Sequence, residues 1–183
     1  MDNIMQILSY ILSFLGLVSM IVASLLKGKN MKKILFFVFC GNAFVAVSYL
    51  LGGSGLNGAA SCFIGCVQTI INYFFESKNK PLPKWLVAIY ALAFIVANLA
   101  VSGFTALGVL AIVAALTFVM CIGQKNGAKY RFWTIVNMTL WCSYDFFSKS
   151  YGALASHIPL LLFTVAGMLI HDVKHKDKEQ KAE

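Results

Sequence analysis

Seven long apolar stretches separated by short polar turns make up most of the chain. They are Ile4–Leu26, Ile34–Gly52, Gly58–Phe75, Trp85–Val101, Phe104–Ile122, Phe132–Ser148 and Gly152–Ile170. A helix needs about 20 apolar residues to cross the hydrocarbon core of a bilayer, so each stretch predicts a transmembrane helix. The turns are short, which predicts that consecutive helices are neighbours. The first stretch is longer than a signal-peptide core and follows Asp2 rather than a basic residue, so it is expected to stay as a span.

The basic residues fix the expected orientation. Lys27, Lys29, Lys32 and Lys33 fall in the first turn, Lys78, Lys80 and Lys84 in the third, and Lys125, Lys129 and Arg131 in the fifth. Lys174, Lys176, Lys178 and Lys181 follow the last stretch. Of the 15 Lys and Arg residues, Lys149 alone lies elsewhere. Basic residues stay on the cytoplasmic side, which predicts an outside amino terminus and a cytoplasmic carboxyl terminus. Trp85, Tyr130 and Trp133 sit beside these clusters, where aromatic anchors belong.

Composition agrees. The 183 residues are 60% hydrophobic and 12% charged, against about 25% charged in soluble domains. The net charge of +8 is juxtamembrane, so the expected partner is a bilayer with anionic headgroups and not nucleic acid. Cys40, Cys62, Cys66, Cys121 and Cys142 all lie within apolar stretches and read as small packing residues. The segment HDVKHKDKEQKAE reads as a solvated tail. Its His171 and His175 lack a third ligand for a metal, and neither a metal nor a cofactor is expected.

A gapless slide that places Asn42 on Asn137 also places Ser48 on Ser143, Tyr49 on Tyr144, Ser61 on Ser156 and Thr69 on Thr164. Spans one to three then fall on spans five to seven in the same orientation. The fold class predicted is an all-α membrane protein of seven transmembrane helices in a parallel 3+1+3 repeat. Residues 1–78 form the first repeat, 79–102 the linker helix, 103–171 the second repeat and 172–183 a charged cytoplasmic tail.

Polar side chains within spans are costly and normally face the bundle interior. Ser61, Gly65, Gln68, Thr69, Asn72 and Glu76 form one stripe on span three. Asn42 and Tyr49 share a face of span two, and Asn137, Trp141 and Asp145 a face of span six; His157, Pro159 and Thr164 lie on span seven. One reading is a polar cavity between the halves. Its candidate substrate-binding residues are Asn42, Tyr49, Gln68, Asn72, Asn137, Trp141, Asp145 and His157. Amides offer donors and an acceptor to a neutral polyhydroxyl or heteroaromatic solute, and Trp141 and Tyr49 offer faces for stacking. The other reading is interhelical glue, at about 0.6 kcal/mol per hydrogen bond. Asp145 could pair with His157, or with Lys149 four residues on. The glycine-rich turn GGSGLNGAAS permits a tight hairpin, and Pro159 predicts a kink in span seven.

The segments SLLKGKNMKKILFF, SYLLGGSGLNGAASCFIGCVQTIINYFFESK and WCSYDFFSKSYGALASHIPLLL together resemble the YgjV-type bacterial inner-membrane proteins. The resemblance covers nearly the whole chain. It implies a multi-pass protein of the bacterial inner membrane and adds no chemistry. The repeat plan is more distantly similar to SWEET-type sugar facilitators and PnuC-type nicotinamide-riboside transporters. The Pro-Gln signature of the SWEET type is absent from ILSFLGLVSMIVASLLKGK.

The expected function is a facilitator or secondary transporter of a small polar solute, sugar-like or nucleoside-like. The alternative is a non-transporting scaffold or assembly module that binds lipid or a partner protein. An enzyme is not expected, because no nucleophile–base or paired-carboxylate spacing is present. Span seven has no lysine for a retinal Schiff base. A homo-oligomer is left open.

Overall fold

The apolar runs fold as helices because little within them competes with helical hydrogen bonding, and their ends are set by local chemistry. The computed structural model describes residues 2–27, 30–52, 56–149 and 151–173. The heart of the glycine-rich turn (53–55), Lys29 and the tail residues from 174, including His175, lie outside the described residues. Seven α-helices follow in order: α1 Asp2–Leu25, α2 Met31–Gly52, α3 Leu56–Ser77, α4 Lys84–Ser102, α5 Ala106–Ile122, α6 Gly127–Phe147 and α7 Tyr151–Met168. The last continues into a π-helical turn, Leu169–Val173. Pro159 lies inside α7.

Caps decide several boundaries. The Thr105 hydroxyl accepts the Gly108 N–H at 3.0 Å and starts α5. Gly103 ends α4 with φ +61°, a left-handed position open to glycine. The Asn126 side chain accepts the Ala128 N–H at 2.8 Å. That cap starts α6 at Gly127 instead of Phe132, which draws Tyr130 and Arg131 from the expected loop into the helix.

Four segments are long and apolar enough to cross a membrane: Asn3–Leu25, Met31–Leu51, Lys84–Ser102 and Ala153–Asp172. α5 is as apolar but has 17 residues, while α3 and α6 carry the polar positions noted above. The seven expected spans therefore appear as seven helices, of which four meet the length and hydropathy of a span.

The distribution of side chains is inverted relative to a soluble protein. Arg131, Gln68, Thr69 and Thr164 are fully buried, and Asn137 and Asp145 nearly so. Ile4, Phe63, Trp85 and Phe104 are among many large apolar residues that face outward. An apolar solvent favours this arrangement, because it cannot satisfy the polar groups.

α1 packs on α2, α2 on α3, α5 on α6 and α6 on α7. Two further seams join the ends of this series, α1 with α7 and α3 with α5, and α4 lies against α3 and α5. Small residues allow close approach. A Cβ on Gly16 would stand 2.6 Å from Val45 and 3.1 Å from the Gly41 carbonyl oxygen. A Cβ on Gly167 would stand 2.6 Å from the Ser24 carbonyl oxygen. Ser9 and Ser13 both reach Ser48, tying α1 to α2, while the Thr164 hydroxyl meets Ser24 Oγ at 2.9 Å and ties α7 to α1.

At the end of the bundle that carries the lysine-rich turns, Arg131 holds three helices together. Its guanidinium is fully buried and makes a bidentate pair with Asp172, Nε to Oδ2 at 2.8 Å and Nη2 to Oδ1 at 2.5 Å. Its third contact, Nη1 to the Leu26 carbonyl oxygen at 2.8 Å, satisfies an acceptor at the exit of α1. His171 Nε2 lies 2.9 Å from the Leu25 carbonyl oxygen. His171 and Asp172, expected at the start of a solvated tail, are thus drawn back onto the bundle. A planar guanidinium grips the carboxylate with two parallel donors and still has one for the carbonyl, a fixed geometry that lysine's point-like ammonium does not offer.

Removing one member of this buried pair is expected to cost about 3–5 kcal/mol, and replacing both with apolar residues much less. Unfolding of Asp172→Ala and of Arg131→Met/Asp172→Leu in detergent measures the difference. Equal losses in the two variants would show that the pair is not the fastening.

Candidate functional site

The polar stripe of α3 faces inward. Thr69 uses its hydroxyl locally, donating to the Gly65 carbonyl oxygen at 2.6 Å. One turn nearer the lysine-rich end, Asn72 Nδ2 donates to the Ile122 carbonyl oxygen at 2.8 Å and bridges α3 to the end of α5. The Tyr90 hydroxyl from α4 stands 3.5 Å from Asn72 Oδ1.

Next to Thr69, and one turn deeper than Asn72, lies Gln68, which is fully buried. Neither its Nε2 nor its Oε1 has a hydrogen-bond partner, and neither does Nδ2 of Asn42 on α2. Among the described residues these three are the buried side-chain nitrogen and oxygen atoms left unpaired. Both amides belong to the same junction. A Cβ on Gly65 would lie 3.4 Å from Asn42 Nδ2 and 3.1 Å from the Phe118 ring of α5. The helices α2, α3 and α5 therefore meet at Gly65, one turn from Gln68. A buried unpaired amide costs about 1–3 kcal/mol.

Asn137, the counterpart of Asn42 in the sequence slide, is engaged differently. Its Nδ2 donates to the Ala114 carbonyl oxygen at 2.6 Å and to Thr117 Oγ1 at 3.0 Å, both on α5. One amide fastens helices, while Nδ2 of the other is unpaired.

At the opposite end, Asp145 on α6 and His157 on α7 are hydrogen-bonded, Oδ2 to Nδ1 at 2.6 Å. The carboxylate is buried and the imidazole a quarter exposed. Lys149, the other candidate partner, sits past the end of α6 with φ +59°. Trp141 lies over the imidazole, with ring centroids 6.1 Å apart. Tyr49 of α2 is within electrostatic reach of Asp145, Tyr144 and Cys62, so this end also faces α2 and α3. The structure thus gathers Asn42, Gln68 and Asn72 along α2 and α3, and Tyr49, Trp141, Asp145 and His157 at the far end. Asn137, on α6, stands apart and is bonded to α5.

A crevice of about 20 Å³ enters from the lysine-rich end between α2, α3 and the turn after α5. It is lined by Asn72, Glu76, Lys80, Gln124 and Lys125 among others, with room for about one water. The Asn72–Ile122 bond lies at this crevice, and Gln68 is one helical turn deeper. A separate groove of about 220 Å³ between α2 and α3 is wholly apolar apart from Thr69 and Tyr73, and Phe36 and Phe74 flank it.

An inward polar stripe, a buried Arg131–Asp172 pair and an apolar exterior suit a protein of the bilayer. The sequence profile of Imp-YgjV, a family of bacterial inner membrane proteins, matches residues 6–172. The chain belongs to this family. It is accordingly a protein of the bacterial inner membrane. No curated protein and no solved structure matches the chain.

Sequence reasoning passed over Arg131 by grouping it with the loop lysines. The available signal was that it is the chain's one arginine, the residue suited to a buried bidentate pair. Phe118 and Thr117 carried no signal, because only packing brings them to the asparagines.

The Asp145–His157 contact is expected to show a coupling of about 1–3 kcal/mol in a double-mutant cycle of Asp145→Asn and His157→Gln. Additive stability losses would place the two side chains in independent environments.

Proposed function

We propose that this protein is a facilitator or secondary transporter that carries a small polar solute between two like-oriented three-helix repeats. In this reading all seven helices cross the membrane and α4 is the inverter. The lysine-rich turns face the cytoplasm with the carboxyl terminus, and the amino terminus is outside. The protein moves its solute without covalent chemistry.

The pairing of helices supports the repeat. If α1, α2 and α3 correspond to α5, α6 and α7, the α1–α7 seam corresponds to the α5–α3 seam, and both are present. Thr69 and Thr164 correspond, and each donates to the carbonyl oxygen four residues back. Two seams related in this way allow the triplets to rock against each other about a site between them.

The observation that carries the transport reading is the unpaired amide of Gln68 beside that of Asn42. These groups lie where α3 meets α5 across one seam. In a bilayer, water cannot relieve them cheaply. A bundle selected only for packing would place leucine there. A carrier needs polar groups that are free until the solute arrives. The crevice at the lysine-rich end, closed by Asn72 against Ile122, gives the site a short route to the cytoplasm.

Reconstituted protein is expected to mediate flux of at least one member of a panel of labelled hexoses, polyols and nucleosides. Gln68→Leu should abolish that flux while leaving thermal stability unchanged or higher by about 1 kcal/mol, because it removes an unpaired polar group. Lower stability in Gln68→Leu, with no flux through the native protein, would favour a lipid- or partner-binding scaffold whose amides serve as glue.

A further inference from the structure

We propose that Gln68 and Asn42 recognise a neutral planar solute through an imide edge, an N–H flanked by two carbonyl oxygens. The inference names the solute class for the carrier read above and rests on that reading for the solute's passage.

The unpaired atoms define the complement. Gln68 Nε2 needs an acceptor, Gln68 Oε1 needs a donor and Asn42 Nδ2 needs an acceptor. A ligand edge that satisfies all three presents one donor and two acceptors. An imide supplies this set in a single rigid plane. Gln68 Nε2 donates to one carbonyl, Gln68 Oε1 accepts the N–H, and Asn42 Nδ2 donates to the other carbonyl.

Neutrality follows from the surroundings. Arg131 is paired with Asp172, and Asp145 is hydrogen-bonded to His157, so both are already engaged away from Gln68. A charged solute at Gln68 would be desolvated without a counterion, at a cost of several kcal/mol. Planarity follows from the wall. The Phe118 ring lies against Gly65, which separates Asn42 from Gln68 along the junction, and aromatic rings stack on flat heterocycles. A hexose hydroxyl both donates and accepts, so it could meet these amides in many orientations without being selected. The imide is chosen because its donor and acceptors are fixed.

The test is thermal unfolding of the protein in nanodiscs with uridine, 3-methyluridine, cytidine and glucose at millimolar concentrations. A ligand raises stability only by binding the native state. Uridine should raise the unfolding temperature. 3-Methyluridine has lost the donor and cytidine presents a different edge, so both should bind at least ~10-fold more weakly, as expected of a site built around a hydrogen bond. Gln68→Leu should remain folded and lose the uridine response.

Equal shifts with uridine and 3-methyluridine, no shift with uridine, or an unchanged uridine response in Gln68→Leu would each overturn the assignment. The ligand series on the native protein decides the matter even if the variant fails to fold. Uridine binding without flux in proteoliposomes would refute the transport reading and leave the imide site standing. Glucose flux without uridine binding would do the reverse.

Discussion

The structure depends on one constraint: polar groups inside a lipid-facing bundle must find partners within the protein. Water is not available in the hydrocarbon core to take the place of a missing contact. Thr69, Thr134 and Thr164 each return their hydroxyl to the carbonyl four residues back. Asn72 and Asn137 reach carbonyl oxygens on α5. The Arg131–Asp172 pair and the Asp145–His157 hydrogen bond link α6 to α7 and its extension. Each contact is small, but each is also the only way to hide a polar group from lipid. Polar residues thereby decide which helices are neighbours, and the apolar residues cover what remains.

The halves meet this constraint by different means. α1 and α2 approach through Gly16 and Gly41 and through the serines at positions 9, 13 and 48. α6 and α7 are held by the Arg131–Asp172 pair at one end and the Asp145–His157 hydrogen bond at the other. Where the second half has Arg131, Asp145 and His157, the first has Phe36, Leu50 and Cys62 in the sequence slide. In the proposed repeat these ties would belong to the second half. Arg131 also reaches the exit of α1 and so fastens the α1–α7 seam at the lysine-rich end. At the corresponding depth Asn72 bridges the α3–α5 seam. A carrier of the kind proposed would open more readily along the seam with fewer ties, and the crevice lies on that side.

Against this economy the unpaired amides of Gln68 and Asn42 stand out. Replacing them with apolar residues of similar size would relieve the bundle, and function is the usual reason for such a group to persist. Their position beside a glycine and an aromatic ring is what makes the proposed solute site chemically specific.

Much of this was legible in the residues themselves. Charge alternation and apolar length predicted helices of a membrane protein. The three- and four-residue spacing of Gln68, Thr69 and Asn72 predicted an inward stripe, because side-chain direction on a helix follows from its fixed pitch. The Asp145–His157 contact was foreseeable as one of two pairings. The tertiary structure alone decided that Nδ2 of Asn137 is engaged while that of Asn42 is unpaired, that Arg131 leaves the loop for the interior, and that Asp172 follows it. A sequence specifies which face of its own helix a side chain occupies. The partner that face meets depends on how helices far apart in the chain come together, and no local pattern encodes that distance.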